Sequence, residues 1–164
     1  MLIRYLVSIS CACFLLTGCA SLDDKDRLLT SHFQNFETWY KINDEPLTGS
    51  AGGSLQGKHL ERECIREVYI NDIGKLVITG QQNPPFPAGT ILVKDTFYSN
   101  SDGSKGSRWN ITVMRKRAPG YDSRNGDWEY GDAAPVKNLL VVGKWDLCID
   151  CHAFARKDYV FTWD

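Results

Sequence analysis

No stretch in the middle of this chain is apolar for the roughly 18 residues that a membrane-spanning helix needs, and no segment repeats another. Positive charge is not in excess: 19 Lys and Arg against 20 Asp and Glu leave a formal net charge of -1. The first absence argues against a multi-pass membrane protein. The lack of a basic field argues against holding a nucleic-acid backbone, so no nucleic-acid partner is expected. Methionine is scarce, with only Met1 and Met114, and histidine is limited to His32, His59 and His152. These scarcities matter once metal ligands are sought. An apolar fraction of 43% and a charged fraction of 24% exclude wholesale disorder, and 164 residues suit one domain.

What the chain does have is six cysteines, an even count that first suggests a disulfide framework. Their spacing argues otherwise. Cys11 and Cys13 lie in an apolar N-terminal run, Cys19 ends it, Cys64 stands alone, and Cys148 and Cys151 form a close pair. Arg4 followed by the apolar stretch Tyr5 to Leu16 has the build of an export signal, too short to span a membrane comfortably. Leu16-Thr17-Gly18-Cys19 looks like the lipobox of bacterial lipoproteins, in which the cysteine is lipidated on sulfur and becomes the new N-terminus. A plain signal peptide or an uncleaved anchor is the competing reading. The expected organisation is a signal at 1–18, a lipidated tether at 19–30 and one domain at 31–164. Ala20 after the cysteine favours the outer membrane, giving a protein lipid-anchored in a bacterial cell envelope and facing the periplasm.

Within the domain, Leu29, Phe33, Phe36 and Tyr40 fall at helical spacing, with Ser21 or Asp23 as a cap. Thr48 to Gly57 reads as a loop. Candidate strands follow at Cys64–Ile70, Gly89–Tyr98, Trp109–Arg115 and Trp128–Tyr130, separated by turns rich in Asn, Pro, Gly, Ser and Asp. Leu76 to Thr79 is too short to assign, and Ala133 to Trp145 is expected to hold some helix. The fold class is α+β: a mainly antiparallel sheet or sandwich with flanking helices.

The chemistry is concentrated in Cys148-Ile149-Asp150-Cys151-His152. C-x-x-C-H is the attachment signature of c-type haem. Two thiols add to the two vinyl groups of one porphyrin, and the adjacent imidazole reaches the iron. One haem c is therefore expected, covalent through Cys148 and Cys151, with His152 as the metal ligand. Three other readings compete. A thioredoxin-like pair would follow a strand of a βαβ unit. A zinc site needs four ligands, and Cys64, His32 and His59 are scattered singly. A structural disulfide accounts for neither the spacing nor the histidine. Bacterial haem c is attached outside the cytoplasm, in keeping with the export signal.

The sixth iron position decides what such a protein does. An electron carrier fills it with Met or His. Only twelve residues follow His152, and Met114 lies upstream inside a predicted strand, where a packing role suits it better. His32 and His59 read as surface residues. An open distal site follows, suited to a small ligand.

Three stretches in this order resemble the cytochrome P-460 family, which includes the cytochromes c′-beta. They are the haem motif followed by Asp158-Tyr159-Val160-Phe161-Thr162, the segment Phe86-Pro87-Ala88-Gly89-Thr90-Ile91-Leu92-Val93-Lys94-Asp95, and Ile65-Arg66-Glu67-Val68-Tyr69. The likeness spans about residues 31 to 164. It implies a β-sandwich-like domain, a homodimer, and five-coordinate haem with an enclosed distal pocket. It also implies a lysine cross-linked to the porphyrin at Lys94 and an arginine beside the pocket at Arg66. Independently of the likeness, alternation puts Arg66 on a strand face with Cys64, Val68 and Ile70, where a guanidinium needs a partner. Lys94 shares a face with Leu92 and Thr96, but neither face of its strand is cleanly apolar. In hydroxylamine-oxidising members a distal carboxylate relays protons, and its position falls at or near Thr112, which cannot act as a base near neutral pH.

The expected function is a mono-haem c protein that binds or redox-converts small nitrogen species such as nitric oxide or hydroxylamine, with a cytochrome as redox partner. One rival is a hydroxylamine oxidoreductase or weak peroxidase, with Glu129 or Asp127 as the carboxylate. The other is a six-coordinate electron-transfer cytochrome using Met114.

Overall fold

The computed structural model describes residues 27–45, 64–133 and 139–161. The expected signal, Cys19, the Thr48 to Gly57 loop and His59 lie outside the described residues. Six strands form one antiparallel sheet in chain order: β1 Tyr40–Lys41, β2 Cys64–Ile70, β3 Ile91–Ser99, β4 Lys105–Lys116, β5 Trp128–Ala133 and β6 Leu139–Gly143. Two short helices accompany them, α1 Asp72–Ile78 and α2 Asp146–His152. The chain is thus the expected mainly antiparallel α+β fold.

Helix α1 lies in the β2–β3 connection, and Asn71 explains how. Its Oδ1 accepts from Gly74 N at 3.3 Å, capping the helix, and from Ile91 N at 3.1 Å, while its Nδ2 donates to Gly89 O at 2.9 Å. One side chain therefore ties the helix start to the start of β3. A Cβ at Gly74 would sit 2.4 Å from Thr90 Cγ2 and 2.6 Å from Ile70 Cδ1, so glycine lets α1 lie against the sheet. The unassigned run Leu76 to Thr79 is the end of this helix.

Two expectations need correction. The helix read over Leu29 to Tyr40 is instead two single 3-10 turns, Thr30–His32 and Phe36–Thr38. A 3-10 turn repeats every three residues, which aligns Phe33 with Phe36, both 0% exposed, and leaves out Leu29 and Tyr40. Tyr40 instead starts β1, paired with Ile70. Between Ala133 and Trp145 the described residues hold β6, paired to β5, rather than helix. Val141 and Val142 suit an extended chain.

The register separates two faces. On one, Phe33, Phe36 and Leu28 cover Tyr69, Ile91, Val93, Ile111 and Val113, with Phe36 edge-on to Tyr69 at 5.3 Å. Fully burying each such phenylalanine contributes about 1.5–3 kcal/mol. On the other face, α1, α2 and the last described residues pack over Ile70, Leu92, Met114, Trp128 and Tyr130.

Candidate functional site

On the face that carries α2, side chains stand in rows across the strands. The first row is Ile70, Leu92, Met114, Tyr130 and Gly143. The second is Val68, Lys94, Thr112, Asp132 and Val141, and the third holds Arg66, Thr96 and Asn110. The first row is apolar and lies under α2, whose Cys148 and Ile149 pack on it together with Trp145. The next rows begin two residues further along, about 7 Å. They bring Lys94, Arg66, Thr112 and Asp132 onto the same face. The structure thus gathers the sequence-predicted residues Arg66, Lys94 and Thr112 on the face that carries Cys148, Cys151 and His152.

Cys148 and Cys151 are three apart on α2, on one side of the helix, with Cys151 buried and Cys148 partly so. Neither is in a disulfide, nor is buried Cys64 at the start of β2. Burial pushes the Cys148 thiol up to about 11, although Lys94 pulls it down. His152 closes the helix. Its ring lies 5.4 Å from the Tyr130 ring and 5.3 Å from the Phe161 ring. Its Nδ1 is 2.7 Å from the carbonyl oxygen of Tyr159. A carbonyl only accepts, so Nδ1 carries the proton and the ring lone pair is on Nε2. That is the tautomer an iron-binding imidazole needs. The turn presenting this carbonyl is left-handed at two non-glycine residues, Asp158 at φ +50° and Tyr159 at φ +65°. Each costs about 1–2 kcal/mol.

Lys94 is partly covered. Loss of water, then the Arg66 guanidinium, hold its ammonium below the ordinary lysine range, against opposing pulls from Cys148, Cys151 and Asp132. Tyr130 is 1% exposed, and its hydroxyl is buried without a hydrogen-bond partner among the described residues. Burial, then Cys148, push its phenol well above the usual value. A buried hydroxyl without a partner is costly, so this face leaves a donor for a group that brings an acceptor.

These observations fit a haem better than the rival uses of the motif. Among the described residues no three His, Cys, Asp or Glu side chains converge on a metal. The all-antiparallel sheet contains no βαβ unit, against a thioredoxin-like pair. A porphyrin brings its own four nitrogens and asks the chain for two thiols and one correctly protonated histidine, all present on α2.

Met114 is packed in the first row between Leu92 and Tyr130, a core position. His32 is exposed, its Nδ1 accepting from Leu29 N at 3.1 Å. Glu129 and Asp127 are not site carboxylates. Glu129 lies on the opposite face, 2% exposed, bound by Arg115 at 2.8 Å and Arg117 at 3.0 Å. Both of its oxygens are held by arginines away from α2, so it does not reach the face that carries His152. Asp127 Oδ1 accepts from Gly120 N and Asp122 N and organises the β4–β5 loop. A carboxylate that does stand in the rows of the site face is Asp132, directly across from Thr112. Extending the alternation Trp128, Tyr130 by one more step would have found it.

The sequence model of the Cytochrome P460 family matches residues 34–162 of the chain. No curated protein matches it.

Proposed function

The chain belongs to the cytochrome P460 family, whose members are haem c cytochromes, and from that premise we propose that it carries one covalent haem c whose distal side takes a small nitrogenous ligand such as nitric oxide or hydroxylamine. The observation that supports the reading best is the polar second and third rows, Lys94, Thr112, Asp132 and Arg66, on the face that carries His152. Cys148 and Cys151 would form the thioethers and His152 Nε2 would be the axial ligand. When bound, the haem supplies a redox-active iron with a position for the ligand.

The rest is the work of the chain. Arg66 offers guanidinium donors to negative charge that develops on a bound ligand. Thr112 can donate or accept one hydrogen bond. Lys94, held below its ordinary proton affinity, presents an amine that is more readily neutral, the form needed for a bond to carbon. Lys94 would therefore be the residue joined to the porphyrin, the new N–C bond replacing an amine N–H and a ring C–H and its two electrons passing to an oxidant such as peroxide from outside the chain. A lipid on Cys19, an envelope location facing the periplasm, a second copy of the chain and a cytochrome redox partner complete the proposal.

Asp132 favours a second reading, an oxidoreductase. It supplies the proton acceptor that Thr112 cannot, across the β4–β5 pair from it.

The test is production with a haem c maturation system, followed by visible spectra of both oxidation states and titration with nitric oxide. A covalent, five-coordinate haem that binds the ligand is expected. Low-spin six-coordinate bands would reject the open site, and no covalent haem would reject the whole reading. An unchanged spectrum in Lys94→Met would remove the cross-link alone. Loss of hydroxylamine turnover with retained nitric oxide binding in Asp132→Asn selects the oxidoreductase.

A further inference from the structure

The left-handed turn Asp158-Tyr159 is gripped from four places. Lys116 Nζ contacts both Asp158 oxygens at 2.8 and 2.6 Å. Phe86 N donates to Asp158 Oδ2 at 2.7 Å, and Trp128 Nε1 donates to the Asp158 carbonyl at 2.8 Å. Tyr159 donates its hydroxyl proton to Arg124 O at 2.8 Å, and its ring lies where a Cβ on Gly126 would be, 2.5 Å from Cδ2. Lys116 is 8% exposed, with its ammonium 5.0 Å from the Trp128 ring centre, so the ion pair is held in a covered, apolar setting. Two consecutive non-glycine residues at positive φ persist only where surroundings over-determine them. Here those surroundings come from the β3 approach, the end of β4, the β4–β5 loop and β5.

What the turn delivers is one atom. The Tyr159 carbonyl reaches His152 Nδ1 at 2.7 Å. We propose that Asp158, anchored by Lys116, is a positioning residue for the axial histidine, acting through the Tyr159 carbonyl to set the donor strength of His152 and with it the reduction potential. A short bond from Nδ1–H to a fixed carbonyl raises the basicity of the other ring nitrogen, and partners of this kind tune a metal as its direct ligands do. A more basic imidazole favours ferric iron. Releasing the carbonyl weakens that preference and moves the equilibrium towards ferrous. The inference rests on His152 being the axial ligand of a bound haem.

The test is the double variant Asp158→Asn/Lys116→Gln, which leaves the net charge of the pair at zero, so any change in potential does not come from a lost charge. It is compared with Glu129→Gln, which breaks a buried ion pair on the other face of the sheet. Potentiometry and the resonance Raman iron–histidine band of the ferrous holoprotein are the readouts. The expected result is a ferrous-to-ferric ratio at fixed potential raised about tenfold, equivalent to about 59 mV for one electron, with a lower band frequency. Glu129→Gln should move neither. Tyr159→Phe, which loses only the contact to Arg124, should shift both readouts less and in the same direction, and it decides the matter if the double variant does not accumulate. Wild-type band and potential in the double variant, or in Tyr159→Phe where that variant decides, overturn the inference, as does an equal shift in Glu129→Gln. Wild-type protein without covalent haem would instead overturn the proposed function.

Discussion

Gly126→Ala tests the grip on the C-terminal turn in stability terms, and Gly80→Ala is its matched control. Both glycines are left-handed, at φ +67° and φ +72°. The backbone cost of alanine there is about 1–2 kcal/mol in each case. Their surroundings differ. Nothing lies within 4 Å of a Cβ at Gly80. A Cβ at Gly126 would be 2.5 and 2.7 Å from two Tyr159 ring carbons and 3.2 Å from Asp158 Oδ1. The ring must then move, which strains the hydroxyl bond to Arg124 O, worth about 0.5–1.5 kcal/mol net. It also loses packing of the kind that makes overfilled sites cost about 1–3 kcal/mol. Gly126→Ala should therefore destabilise by about 2.5–6.5 kcal/mol, combining these costs, and Gly80→Ala by the backbone share alone. Urea unfolding of the holoprotein followed by far-ultraviolet circular dichroism reads the difference as separated midpoints with equal slopes. Equal losses in the two variants would show that Tyr159 is not held where the structure has it.

Three further outcomes follow from other parts of the fold. Glu129→Gln removes the carboxylate shared by Arg115, Arg117 and Leu28 N, and urea unfolding should show a loss of about 3–5 kcal/mol. A loss below about 1 kcal/mol would refute the role given to that cluster. Gly74→Ala should be destabilising without any backbone strain, because its Cβ would overlap Thr90 Cγ2 and Ile70 Cδ1; a neutral result in thermal unfolding would show that α1 does not pack so closely on β3. Burial pushes the Glu67 carboxyl up, but Lys105 and Lys41 pull it further down, to a net value below the ordinary one. A depressed folded value means stability that is fully present above the unfolded value of about 4.3 and lost as pH falls through the folded one. Urea midpoints measured downward from pH 6 should fall less steeply in Lys105→Met than in wild type, and parallel curves would contradict the assignment.

How much of this was legible in the sequence depends on what each strand has on its two sides. The bounds of β2 are legible because Cys64 to Ile70 is rich in Ile, Val and Tyr and is buried on both faces. Arg66 was placed on its face by alternation alone. β3 resisted the same treatment. Asp95, 1% exposed, stands on a face of apolar residues because Arg108, 13 residues later, meets it with two contacts of 2.8 Å. No local pattern can announce a partner that arrives from the next strand. Asp132 was missed for a related reason. Gly131 and Asp132 are poor strand formers, so β5 appeared to stop at Tyr130, whereas pairing to β4 on one side and β6 on the other carries it to Ala133. The 3-10 turns escaped because Phe33 and Phe36, three apart, satisfy both a 3.0 and a 3.6 period.

Buried charge is paired over most of the sheet, Lys116 with Asp158 on the α2 face included, and the second and third rows of that face depart from the pattern. Away from α2, the buried carboxylates are each met by a cation: Glu129 by Arg115 and Arg117, Asp95 by Arg108, Glu67 by Lys41 and Lys105. Such pairs hold a sheet in one register, since slipping by a residue would strand a charge in the core. On the α2 face the second and third rows place Lys94 close enough to Arg66 for the guanidinium to depress the lysine. The nearness of Arg66 disfavours the charged form of Lys94, with Cys148, Cys151 and Asp132 opposing it, and the buried Tyr130 hydroxyl has no hydrogen-bond partner among the described residues. A sheet under selection for stability alone would replace them with the apolar residues that fill the first row. Their concentration within about two rows of His152 marks that part of the sheet as the candidate site.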